Sequence, residues 1–188
     1  LSPLKWDVQK LNLNAQPNMY DEDISITHRK TGIRLKVESK NAVRGSFSSG
    51  ARSRQMPTPH FKVKCHRSRS NISLRNTTND RYLVGDFDLL VCNTSNALFV
   101  GGSIEGLEII TDSVTIDILY RHYNVDCKKD LLKACYNDWR FVIPEDIAED
   151  GVIPRTPYVA LENDPHWTVL QNLENRLLEV VKRKRERR

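Results

Sequence analysis

Asp23, Glu38 and Lys40 are the residues whose types and spacing could do chemistry together. Two carboxylates brought face to face repel strongly, and a divalent cation between them relieves the repulsion. Oxygen ligands with retained waters are what Mg²⁺ prefers. A lysine two residues beyond the second acid, on the same face, is close enough to touch a water or a phosphate on that cation. Asp…Glu-x-Lys is therefore a compact site for hydrolysing a phosphodiester.

The flanking sequence predicts how these three are positioned. Ile24, Ile26, Ile33, Leu35 and Val37 alternate with polar residues, the period-2 pattern of strands with one buried face. Arg29 to Gly32 has turn chemistry, with Gly32 free to take positive φ. Pairing His28 with Ile33 sets Ile26 opposite Leu35, Ile24 opposite Val37 and Asp23 opposite Glu38. Asp23, Ser25, Thr27, Arg34, Lys36, Glu38 and Lys40 then share the face away from the apolar residues. Cross-strand partners lie roughly 5 Å apart at Cβ, which is why Asp23 and Glu38 are expected to meet.

Glu22-Asp23-Ile24, followed after the hairpin by Val37-Glu38-Ser39-Lys40, resembles the PD-(D/E)xK nuclease superfamily, and type II restriction endonucleases most of all. Asp23 matches the family aspartate, Glu38 the second acid and Lys40 the lysine. Glu22 stands at the proline position, and Asp21 is a possible substitute for Asp23. The tract Tyr82-Leu83-Val84-Gly85-Asp86-Phe87-Asp88-Leu89-Leu90-Val91 and the later Trp139-Arg140-Phe141-Val142-Ile143-Pro144-Glu145-Asp146-Ile147 also look like the late sheet of this superfamily.

The resemblance implies an α/β fold with a restriction-endonuclease-like core, a mixed central β-sheet flanked by α-helices. It implies Mg²⁺-dependent, sequence-specific cleavage of double-stranded DNA, with Asp23, Glu38 and the backbone carbonyl of Ser39 on the metal. Lys40 would orient or deprotonate the attacking water. Cutting a palindrome would require a twofold homodimer. Two rivals stand beside this reading: a nuclease of the same fold with a homing, transposon-end or repair task, and a DNA-binding module without chemistry. Retention of all three of Asp23, Glu38 and Lys40 argues against the second.

Charge distribution points the same way. The formal net charge is +5. Lys40 to Arg81 carries ten Lys or Arg against one acid, whereas Tyr82 to Ala160 carries six against thirteen. A basic block beginning at the proposed site is what a polyanion track needs. The expected DNA contacts are Arg44, Arg52, Arg54, Lys62, Lys64, Arg67, Arg69 and Arg75, within a DNA-binding region of about residues 41–81. RNA is less favoured, because no aromatic stacking platform accompanies the block.

The 188 residues fit a single domain, and no apolar run approaches the ~20 residues that a membrane helix needs. Four cysteines without C-x-x-C spacing read as reduced thiols in a cytoplasmic protein, and the resemblance to restriction endonucleases implies a bacterial or archaeal one. His60, Cys65 and His66 do not make a zinc site, since Cys65 and His66 would face opposite ways in a strand. Asp126-Cys127-Lys128 imitates the acid-x-lysine motif but runs into a helical pattern.

Further elements are expected along the chain. Trp6 to Leu13 reads as a short strand or helix remnant, Asn14 to Asn18 as a loop and Asn41 to Pro59 as a mobile basic loop. In His60 to Arg69, Phe61, Val63 and Cys65 face the core, Lys62, Lys64 and His66 face the groove, and Arg67 continues outward. Phe87 to Cys92 is the strongest core strand, opened by Asp86 and Asp88, and Ala97 to Val100 continues the sheet. Helices are expected at Ser113–Tyr123, where His122 is a packed residue, and at Lys128–Tyr136. A last helix over about 165–185 would be capped by Asp164, with Trp167, Leu170, Leu173, Leu177, Val180 and Val181 as its apolar stripe.

Overall fold

One strand of fourteen residues, β3 (Ile33–Ser46), organises the sheet. The computed structural model describes residues 1–10, 23–46, 59–67, 80–103, 106–109 and 112–187. Among them, β1 (Trp6–Lys10), β2 (Ile24–His28), β3, β4 (His60–Val63), β5 (Leu89–Asn93), β8 (Trp139–Val142), β9 (Tyr158–Ala160) and β10 (Thr168–Val169) form one mixed eight-stranded sheet. A separate pair, β6 (Phe99–Ser103) and β7 (Gly106–Ile109), forms a two-stranded sheet. The helices are α1 (Ser113–Tyr123), α2 (Lys128–Asn137) and α3 (Leu173–Glu186).

The β2–β3 hairpin has the expected register, with His28 opposite Ile33, Ile26 opposite Leu35 and Ile24 opposite Val37. Its turn closes through the N–H groups of Thr31 and Gly32 on the His28 carbonyl, and Gly32 takes φ +66°. A side chain there would be strained. Successive residues of a strand present their backbone groups to alternate edges. The carbonyls of Val37 and Asn41 therefore point to one edge, where they accept from Asp23 N–H and Lys64 N–H. Lys36 points to the other, toward Asp88. β2 and β4 thus lie one after the other on the same edge of β3, and they part around Glu38–Asn41. On the opposite edge β5 runs parallel to β3 from Val37 to Asn41.

Each face of the sheet has its own core. Trp6, Ile26, Ile33, Leu35, Val37, Leu89, Val91 and Phe141 pack under Leu177, Val180 and Val181 of α3. On the other face Ala42, Phe61, Val63, Cys65, Tyr82, Phe87, Leu90, Cys92 and Val142 pack with Leu119 of α1 and with Leu131 and Cys135 of α2. Helices on both faces of a mixed sheet make an α/β fold.

Of the two forms expected for the first element, the strand holds: Trp6–Lys10 pairs with β2. Several other expectations need correction. Asn41 to Ser46 is not loop: it continues β3 because β4 offers it a ladder and Ala42 a buried seat opposite Val63. The rest of the expected loop, 47–58, lies outside the described residues, as do 11–22. The chain leaves β5 instead of turning back into the sheet: Asn93 Oδ1 accepts Ser95 N–H at 3.0 Å, and its amide donates to the Tyr136 carbonyl at 2.9 Å. Ser95–Leu98 becomes a 3₁₀ turn that leads into β6. The last helix begins at Leu173. Asp164 does accept from the N–H groups of His166 and Trp167, but Thr168–Val169 then pairs with β8. Trp167 is buried in the α1–α2 core, on the opposite face of the sheet from Leu177. Among the described residues no helix is long and apolar enough to cross a membrane.

Candidate active site

The site occupies the notch where β2 and β4 part from β3. Asp23 stands just before β2, and its Oδ2 accepts the Ser39 N–H at 2.9 Å, occupying the ladder position that β2 vacates. Ser39 has the same parity as Val37 and Asn41, so its carbonyl points to the same edge as the Asp23 carboxylate. Glu38 and Lys40 rise from the face of β3 that Ala42 continues, toward the α1–α2 core.

That face is more enclosed than an exposed hairpin would be. Glu38 is 4% exposed. Its Oε1 is ion-paired with Lys40 Nζ and accepts from the Tyr82 hydroxyl at 3.2 Å. Lys40 Nζ also donates to that hydroxyl at 2.9 Å. Glu38 Oε2 is buried with no hydrogen-bond partner among the described residues. Burial pushes the Glu38 carboxyl up to about 7, against the pull of Lys40 and with a smaller push from Asp23. Cys65 lies near enough to both charges to respond to them, but burial pushes its thiol up to about 12, so it stays protonated.

The structure brings Asp23, Glu38, Ser39 and Lys40 together. The donor set fits a divalent cation: Asp23 and Glu38 give oxygen ligands, the Ser39 carbonyl points to the same edge as the Asp23 carboxylate, and Glu38 Oε2 has no hydrogen-bond partner among the described residues.

The expected DNA contacts fare less uniformly. Arg44 continues β3, half exposed and ion-paired with Asp112 at the start of α1. Lys62 pairs opposite Val43, five residues from Glu38 and so on the other face of the sheet, while Lys64 is exposed. Phe61, Val63 and Cys65 take the core face as expected, but that is the face Glu38 shares; Lys62 therefore points away from the site. Arg67 does not run outward. It is 7% exposed, ion-paired with Asp86 and bonded to the Arg81 carbonyl, with its guanidinium carbon 4.8 Å from the centre of the Tyr82 ring. An arginine beside an aromatic face and a half-buried acid gains more there than in water. Arg52, Arg54, Arg69, Arg75, Asp21 and Glu22 lie outside the described residues.

The remaining motifs are structural. Asp86 accepts Leu83 N–H at 2.8 Å, and Asp88 accepts Lys36 N–H at 2.7 Å and Lys184 Nζ at 2.8 Å, so both set the start of β5. Cys127 precedes α2 as expected and, half-buried, groups with the exposed Asp126 and Asp130. His122 is half-buried, and burial lowers its pKa. Among the terminal cations, Arg183 and Lys184 are committed to Asp146 and Asp88.

Sequence reasoning missed Tyr82. Its tract was legible as the approach to a buried strand, but nothing in the spacing places a phenol forty-two residues after Lys40 against Lys40. Comparison with protein-family models, curated proteins and solved structures finds no match for the chain.

Proposed function

We propose that this chain is a Mg²⁺-dependent, sequence-specific double-stranded DNA endonuclease with a restriction-endonuclease-like core, of the type II restriction kind, acting as a homodimer on palindromic sites in a bacterial or archaeal cytoplasm. One observation carries the reading: a buried Glu38 oxygen, without a hydrogen-bond partner among the described residues, in a notch where Asp23, the Ser39 carbonyl and Lys40 meet.

Asp23 and Glu38 hold the cation, with the Ser39 carbonyl as a third oxygen. When bound, Mg²⁺ lowers the pKa of a water and offsets charge on the scissile phosphate. Lys40 has three N–H donors. Glu38 and Tyr82 engage two of them, which leaves one for the attacking water or a phosphate oxygen. The enclosing core keeps these charges in a low-dielectric setting, where each acts more strongly than in water. Basic residues from late β3 onward, starting with Arg44, hold the DNA backbone.

The test is cleavage of mixed plasmid and phage DNA with Mg²⁺ or EDTA by wild type, Lys40→Ala and Glu38→Ala. Discrete Mg²⁺-dependent fragments, lost in both variants, are the expected result. DNA binding without cutting, unchanged by either substitution, would sink the catalytic reading.

A further inference from the structure

Tyr82 is 1% exposed, yet its hydroxyl reaches the polar heart of the site. That oxygen accepts from Lys40 Nζ at 2.9 Å and donates to Glu38 Oε1 at 3.2 Å. Its single hydrogen is thereby committed to one named oxygen of the carboxylate. Oε1 takes the lysine and the phenol, and Oε2 is the oxygen that remains. A glutamate's last torsion is broad and roughly twofold, so the two oxygens exchange easily unless something distinguishes them.

The phenol is itself held from several sides. Phe87 meets its ring edge-on, with centroids 5.2 Å apart and planes at 74°. The Arg67 guanidinium lies 4.8 Å from the ring centre and is fixed in turn by Asp86 and the Arg81 carbonyl. The Tyr82 carbonyl accepts Ile153 N–H at 2.9 Å. Lys40 Nζ lies 5.0 Å from the ring centre, so ring and hydroxyl both attract the ammonium.

We propose that Tyr82 is a positioning residue of the cleavage site, which holds Lys40 and Glu38 Oε1 together so that Oε2 faces the cation. The inference rests on the nuclease reading and deepens it. Tyr82 does not touch DNA or metal; it acts through Lys40 and Glu38. Arg67, which the sequence offers as a DNA contact, serves this arrangement through its contact with the ring.

Tyr82→Phe tests the hydroxyl alone, because the ring and its contacts with Phe87 and Arg67 survive. Single-turnover cleavage rate, half-saturating Mg²⁺, DNA affinity in EDTA and Tm are measured for wild type and Tyr82→Phe. Ile153→Val is the packing control, since it thins the same core without touching the hydroxyl. The expected result is a rate at saturating Mg²⁺ at least tenfold lower and a half-saturating Mg²⁺ several-fold higher, with DNA affinity within twofold of wild type. Ile153→Val keeps the wild-type rate and Mg²⁺ dependence. Wild-type cleavage by Tyr82→Phe at every Mg²⁺ concentration overturns the proposal, and so does a loss matched by Ile153→Val. If wild type itself cuts nothing, the nuclease reading has failed and this proposal falls with it. If wild type cuts and Tyr82→Phe cuts equally, only the proposal about Tyr82 has failed.

Discussion

The Asp23 carboxylate accepts the backbone N–H of Ser39 at 2.9 Å, so a side chain completes the β3 ladder where β2 stops. The same carboxylate lies close enough to Glu38 to raise its pKa, which gives Asp23 two separable roles. Asp23→Asn keeps a carbonyl oxygen for Ser39 N–H and should unfold within about 0.5 kcal/mol of wild type. Asp23→Ala leaves that N–H without its acceptor and should cost about 1–2 kcal/mol. Both should abolish Mg²⁺-dependent cleavage. Urea denaturation paired with a cleavage assay separates the roles, and full activity in Asp23→Asn would remove Asp23 from the metal ligands.

Glu38 makes metal-free stability depend on pH in an unusual direction. Its folded pKa is raised from an ordinary 4.5 to about 7, mainly by burial. The folded state therefore binds the proton more tightly than the unfolded chain does. The contribution of this group is fully present below about pH 4.5 and is lost as pH rises through about 7. At about 1.4 kcal/mol per pKa unit, wild type should lose up to about 3 kcal/mol relative to Glu38→Gln between pH 4 and pH 8 in EDTA. Adding Mg²⁺ at pH 8 should stabilise wild type by about 2.7 kcal/mol at a hundredfold excess over Kd, and leave Glu38→Gln nearly unmoved. Parallel pH profiles for the two proteins would mean that Glu38 is not desolvated in solution.

Gly45 sits at the register shift between Arg44 and Ser46 where β3 meets β4. A Cβ there would lie 2.1 Å from the His60 carbonyl oxygen, a contact with backbone that no side-chain rotation relieves. Gly45→Ala should therefore cost about 1–3 kcal/mol, measured as a lowered urea midpoint with an unchanged slope. It should loosen β4 while leaving the Asp23–Ser39 hydrogen bond intact. A midpoint equal to wild type would show that the bulge relaxes freely.

The hairpin was legible because its apolar alternation and turn residues specify the same register. A one-residue slip would have turned Ile26 and Leu35 to the wrong face. The helices α1 and α2 were legible for the same reason, and Asp112 accepts Thr115 N–H at 3.0 Å as a cap should. Three features depend on partners distant in sequence and left no local signal. β3 outruns its hairpin because β4 and β9 extend the sheet along its later half. Trp167 has the spacing of the α3 stripe but packs on the opposite face of the sheet, since β10 intervenes. Arg67 looks like one more residue of a basic run, and only the folded chain places Asp86 and Tyr82 beside it. At the candidate site, the three residues named by spacing come together, whereas Tyr82 is found only through its contacts.

Asp138 ties the helical layer to the sheet, and its removal should be among the costliest single changes in the α1–α2 core. Its carboxylate accepts the Tyr123 hydroxyl of α1 at 2.5 Å, and Arg140 of β8 at 2.6 and 3.1 Å. The Thr94 hydroxyl, just after β5, adds a contact at 3.3 Å. Asp138 and Arg140 side chains are each 9% exposed, so neither charge has water to fall back on. Burial beside this carboxylate also raises the Tyr123 pKa well above its ordinary value, which keeps the hydroxyl a donor. Asp138→Ala strands a buried guanidinium and should cost about 3–5 kcal/mol, whereas Tyr123→Phe removes the phenol's hydrogen bonds to Asp138 and Thr94 and should cost about 1–2 kcal/mol. Once the carboxylate is gone, Tyr123→Phe should cost little more, so the double variant should fall well short of the summed losses. Additive losses in urea denaturation would mean that Tyr123 and Asp138 act separately. Because the Tyr123 hydroxyl bonds to Asp138 and Thr94 rather than to Glu38 or Lys40, Tyr123→Phe should cut DNA at the wild-type rate at temperatures where it is fully folded.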